Sequence, residues 1–70
     1  MEPGEAVKVV KRFKLLPQQD LQPGEVGIIH HIDPRRNECS VLFLGRLLLW
    51  CIPLDVLESI STQEFKERVK

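Results

Sequence analysis

Residues 41–54 read VLFLGRLLLWCIPL, apolar throughout except for Gly45 and Arg46. A strand sends successive side chains to opposite faces, so a hairpin with one solvated face carries polar residues at every second position. Neither alternating set is polar here. The stretch falls short of the ~18 apolar residues a membrane helix needs, and Gly45, Arg46 and Pro53 interrupt it. It therefore folds as a hairpin with apolar residues on both faces, and one of those faces needs a cover beyond the domain's own core.

Seventy residues make a single domain, near the lower limit at which one hydrophobic core suffices. Ten basic and ten acidic side chains cancel, so no global field gathers nucleic acid or steers the chain to an anionic membrane. The start, MEPGEAVKVV, lacks the charged and then apolar pattern of a secretory signal, and a cytoplasmic location is expected. Cys39 and Cys51 are too few for a disulfide scaffold and lack metal-type spacing, so both are expected as buried or semi-buried thiols.

Val7 and Val9 flank Lys8 in the period of two expected of a half-buried strand over residues 6–13, with a bulge or strand end near Val10 and Phe13. Residues 14–25, KLLPQQDLQPGE, read as a long packed loop in which Leu15, Leu16 and Leu21 dip inward. Residues 26–32 form a second strand, where Gly27 permits a bend or a close backbone approach. Asp33-Pro34-Arg35-Arg36-Asn37 is turn chemistry. Residues 39–44 and 47–52 are the third and fourth strands, joined at Gly45-Arg46 and stopped by Pro53. A single helical turn over 53–57 precedes a short last strand over 58–60. Ser61-Thr62-Gln63-Glu64 is a capping box, flanked by an Ile60–Phe65 staple, that opens a C-terminal helix docked through Phe65 and Val69.

Two registers are open to the central hairpin. With a two-residue turn, Phe43 faces Leu48 and Val41 faces Trp50. Cys39, Val41, Phe43, Leu48, Trp50 and Ile52 then enter the core, and Leu42, Leu44, Leu47, Leu49 and Cys51 face out. A three-residue turn centred on Gly45 instead pairs Phe43 with Leu47 and Cys39 with Cys51 and turns Trp50 outward. Covering Leu42, Leu44, Leu47 and Leu49, at roughly 1.5–3 kcal/mol each, supplies about 6–12 kcal/mol, comparable with the ~4–15 kcal/mol cost of association.

The order of short strands, long loop, helical turn and last strand describes a mainly β chain: a five-stranded SH3-like barrel over residues 1–60 with a short C-terminal helix over 61–70. Glu2-Pro3-Gly4-Glu5, Val7 and Val9, Gly24, Gly27 with Ile28 and Ile29, Ile32-Asp33, and Leu44-Gly45-Arg46 resemble the KOW-type barrel of NusG-like transcription factors. The long loop between Phe13 and Glu25 is similar to accessory barrels such as the small one of photosystem I and the variable chain of ferredoxin–thioredoxin reductase. These resemblances imply a module that docks on larger partners or touches RNA. Residues 51–60 also resemble the end of a eukaryotic SH3 domain, but the chain has no tyrosine, which a polyproline groove requires.

His30 and His31, adjacent on a strand, are expected to point to opposite faces and so not to share a metal. Ser40, Ser59 and Ser61 have no neighbouring base pattern, and no catalytic residue, metal site or cofactor is expected. The functional expectation is a non-enzymatic interaction module that docks through Leu42, Leu44, Leu47 and Leu49, as a homo-oligomer or a small accessory subunit. A second reading assigns RNA, or the transcription and translation machinery, to the basic cluster of Lys8, Lys11, Arg12, Lys14, Arg35 and Arg36.

Overall fold

A computed structural model of the chain describes residues 1–16, 19–46 and 48–68. The strands are β1 (Ala6–Val9), β2 (Phe13–Leu16), β3 (Gln19–Leu21), β4 (Val26–Asp33), β5 (Glu38–Phe43), β6 (Leu48–Pro53) and β7 (Leu57–Ser59). A 3-10 turn over Leu54–Val56 precedes β7, and the helix α1 spans Thr62–Arg68. Five strands form one antiparallel sheet in the order β6-β5-β4-β1-β7, and β2 pairs with β3 in a separate ribbon. The chain is thus mainly β with a short C-terminal helix.

Period-two patterning accounts for the core. Val7 and Val9 from β1, Ile29 from β4, Val41 and Phe43 from β5 and Ile52 from β6 are all fully buried on one side of the sheet. Leu21 is buried with them, so the expected long loop proves to hold a hairpin, with Phe13 opposite Leu21 and Lys14 opposite Asp20. Pro23 falls outside the two strands, so it does not prevent the pairing, and Pro17 lies outside the described residues. The side chains of Leu15 and Leu16 fall outside the described part, as does Val69. Phe65 is half-buried.

Two bulges break the sheet at one level. Between β4 and β5 the pairing passes from Ile29–Val41 to His31–Ser40, which leaves His30 extra. Between β5 and β6 it passes from Val41–Leu49 to Cys39–Ile52, which leaves Trp50 and Cys51 facing Ser40 alone. Cys51 accommodates the extra residue in the left-handed region, at φ 59°. Both expected registers therefore occur. Leu42 pairs with Leu48 as a three-residue turn centred on Gly45 requires, and Cys39 pairs with Ile52 as a two-residue turn requires. At the turn itself Gly45 takes φ 76°, and the Arg46 amide donates to the Phe43 carbonyl.

Gly27 marks the closest approach of two strands. A Cβ there would lie 2.6 Å from the Leu42 carbonyl oxygen and 2.9 Å from Val41 Cγ1, so β5 coils over β4 at a spacing only glycine permits. The hairpin turn is held from the other side by Arg46. Its guanidinium donates to both Glu25 carboxylate oxygens, at 2.7 and 3.0 Å, and to the Asp20 carbonyl at 2.8 Å. Asp20 in turn accepts from Arg12. Burial works to raise the Glu25 carboxyl, but the Arg46 hydrogen bonds, the Gln22 amide and the Arg46 charge outweigh it and leave its pKa below the ordinary value.

The C-terminal helix opens as its capping residues require, with Ser61 Oγ accepting from the Glu64 amide at 3.0 Å. Its hold on the sheet includes polar contacts. Lys8 reaches Glu64 at 3.7 Å, and Arg68 donates to the Gly24 carbonyl at 3.3 Å.

Two substitutions test these constraints. Gly27→Ala is expected to lower the unfolding free energy by about 1–3 kcal/mol, because the clash is with backbone and cannot be relieved by a rotamer change. Denaturant titration measures it. Arg46→Ala is expected to cost about 1–2 kcal/mol at neutral pH. Because the folded state holds Glu25 below its ordinary pKa, the ionised form is favoured by folding. The difference between wild type and Arg46→Ala should be complete above the ordinary carboxylate range and shrink as the pH falls below about 4.

Candidate functional site

The bulges decide what the outer face of β4, β5 and β6 presents. Alternation along β5 sends Cys39, Val41 and Phe43 inward and Glu38, Ser40 and Leu42 outward, and the neighbouring strands follow through their pairings. Leu42 is 54% exposed and Leu44 46%, as either register requires. Leu49 is the correction. It is 4% exposed, a core residue opposite Val41, because the register nearest the turn is the three-residue one. Leu47 lies outside the described residues. Trp50 takes the outward place, 56% exposed, where the two-residue register would have buried it.

Bulges also undo the alternation on which the histidine and cysteine expectations rest. His30 and His31 are both exposed, where opposite faces were expected. His30 meets Trp50 edge to face, ring centroids 6.4 Å apart, across the intervening strand β5. Cys51 is exposed beside Trp50, contrary to a buried or semi-buried placement, while Cys39 lies in the core. Its burial pushes the Cys39 thiol up to about 11. Among the described residues no three histidine, cysteine or carboxylate side chains converge as a metal site would require.

Beside Trp50 the sheet opens into a hollow of about 170 Å³. His31 and Asp33 from β4, Arg36 from the following turn, Glu38 and Ser40 from β5, and Trp50 and Cys51 from β6 line it. Ser40 is the unusual member. Alternation puts it on the outer face, yet it is 2% exposed, and its Oγ has no hydrogen-bond partner among the described residues. Asp33 is engaged in its turn, accepting from the Arg35 amide at 3.1 Å and lying 3.9 Å from Arg36. Glu38 has no ion pair among the described residues.

The basic residues do not form one surface. Lys8 faces Glu64, Arg12 is held by two hydrogen bonds from its Nε to Asp20, and Arg36 lies against Asp33. Lys11, Lys14 and Arg35 are exposed. Lys8 pairs with Val26 at the start of β4, whereas Arg35 follows Asp33 at its other end. Seven residues of strand separate those ends, roughly 23 Å at ~3.3 Å per residue. The arginines of the turn, counted with the cluster on sequence grounds, are therefore remote from it. Among the described residues no helix is long and apolar enough to cross a membrane.

Ser40 and the hollow escaped sequence reasoning, and Trp50 was placed outward in only one of the two registers, because their placement follows from the bulges, which no single-strand period reveals. The clearest available clue was that the apolar run left two hairpin registers open. The two thiols give a direct check on this placement. In the native protein, a maleimide should label Cys51 within minutes and leave Cys39 unmodified until denaturant is added. Peptide mapping by mass spectrometry reads the difference. Protein-family models, curated proteins and solved structures hold no match for this chain.

Proposed function

We propose that this chain is a non-catalytic protein-interaction module of SH3-like barrel type, which docks on another protein surface through the outer face of β4, β5 and β6. The observation that carries the proposal is the exposure of Leu42, Leu44 and Trp50 together on that face. A large tryptophan and two leucines held outward by a rigid sheet form an apolar patch of the kind that marks an interface. Tryptophan is also prominent among the residues that dominate binding energy once enclosed.

The barrel reading rests on element order and coiling. A hairpin after the first strand, a 3-10 turn before the last, the pairing of β7 with β1 and the tight coil at Gly27 support it. The non-catalytic reading is supported by the serines. Ser59 Oγ donates to the Glu5 carboxylate, Ser61 Oγ caps α1, and Ser40 Oγ is buried with no hydrogen bond to its cross-strand neighbour His31 or to any other described residue. Cytoplasmic residence belongs to the same proposal, supported by two thiols placed on opposite sides of the sheet. The RNA reading draws little from the geometry, since three of its six basic residues are already engaged by carboxylates and the six lie at two ends of β4.

The test is Leu42→Asp combined with Leu44→Asp. Both side chains are outside the core, so circular dichroism and thermal unfolding should match the wild type. Light scattering and co-purification from the native source should show the wild type in an assembly, either with itself or with a partner, and the double variant as a lone chain. An unchanged assembly in the variant, or a wild type that is a lone chain at every concentration with nothing bound, overturns the proposal.

A further inference from the structure

We propose that the hollow beside Trp50 is a binding site for a guanidinium cation, with Glu38 as its anchor, Trp50 as its stacking wall and Ser40 Oγ as an acceptor at its base. The site is distinct from the leucine patch, though Trp50 borders both.

The charge balance selects the sign of the ligand. Two carboxylates, Asp33 and Glu38, line the hollow with one guanidinium, Arg36, and one imidazole, His31, and the turn already occupies Asp33 through the Arg35 amide and Arg36. Glu38 remains as a half-buried carboxylate without an ion pair among the described residues, which leaves it to a cationic ligand. The face of an indole attracts cations as well. An anion would meet Glu38 and gain only the His31 imidazole and Arg36, which Asp33 holds.

Ser40 gives the second, independent observation. A buried hydroxyl without a partner costs free energy in the unliganded protein, and Ser40, which lines the hollow, is 2% exposed with no partner for its Oγ among the described residues. A ligand that brings N–H donors removes that cost. Guanidinium suits the site better than an ammonium, because its planar fork can donate to a carboxylate in two parallel bonds, has further N–H groups to spare and stacks on an aromatic ring. At about 170 Å³ the hollow is well below the ~300–1,000 Å³ of pockets for drug-sized ligands. It takes a head group rather than a whole molecule.

Such a head group comes either from a free small guanidinium compound or from an arginine side chain of a bound protein. Trp50 is the only tryptophan and the chain has no tyrosine, so intrinsic fluorescence reports this site alone. Titration with N-acetyl-argininamide at constant ionic strength should give a saturable change with a half-point in the roughly millimolar range. The neutral isostere N-acetyl-citrullinamide should give none. Glu38→Gln should weaken binding at least about fivefold. Ser40→Ala should also weaken it, yet raise the melting temperature of the free protein, an opposition that a purely structural serine would not produce. A Gly-Arg-Gly peptide that binds at least about tenfold tighter than N-acetyl-argininamide identifies a protein-borne arginine, and equal affinity identifies a free compound. No saturable change, an equal response to citrulline, or an unaltered affinity in a folded Glu38→Gln variant overturns the proposal. Leu42→Asp with Leu44→Asp should leave guanidinium binding intact, so the outcome here is independent of the docking surface.

Discussion

A strand that faces a bulge on each side cannot keep one register along its length, and β5 is such a strand at Ser40. His30 is extra on one neighbour, and Trp50 with Cys51 face Ser40 on the other. Because the side-chain period is two, each inserted residue reverses the facing of everything beyond it. The reversal lets β6 place both Leu49 and Ile52 in the core although they lie three positions apart, an odd spacing that a regular strand would split between faces. The same reversal sends Trp50 and Cys51 outward together. The core, the exposed patch and the hollow therefore share one cause.

Around that point the sheet is drawn tight by contacts distant in sequence. Gly27 lets β5 coil over β4 on the core side, while Arg46 ties the β5–β6 turn to Glu25 and to the backbone of β3. Seen energetically, the first is a packing constraint and the second an electrostatic one, and both act at the turn end of the same hairpin. The helix α1 is attached more lightly, through Lys8–Glu64 and the Arg68 contact to Gly24, with no fully buried residue of its own.

Local chemistry was legible in the sequence to the extent that it is local. Asp33 does nucleate the turn, accepting from the Arg35 amide, and Asn37 does take the left-handed conformation, at φ 54°. Ser61 caps α1, and Gly27 marks a close approach, both as their residue types suggested. Leu42 and Leu44 face outward in either hairpin register, so their exposure could be read without choosing between them. What could not be read was set by pairing across strands. The β2–β3 hairpin depends on Leu21 entering a shared core, Arg46 finds a carboxylate 21 residues away, and Ser40 is buried by the bend of its neighbours. A period counted along one strand carries no information on an insertion that only its partner reveals.

Cross-strand nuclear Overhauser contacts along β5 and β6 test the shared cause most directly, because they report the pairing itself. The double-bulge account predicts contacts that pair Val41 with Leu49 and Cys39 with Ile52, with the HN–Hα coupling of Cys51 smaller than those of the extended residues on either side of it. A continuous ladder that pairs Val41 with Trp50 and Phe43 with Leu48 would contradict it, returning Trp50 to the core and Leu49 to the surface.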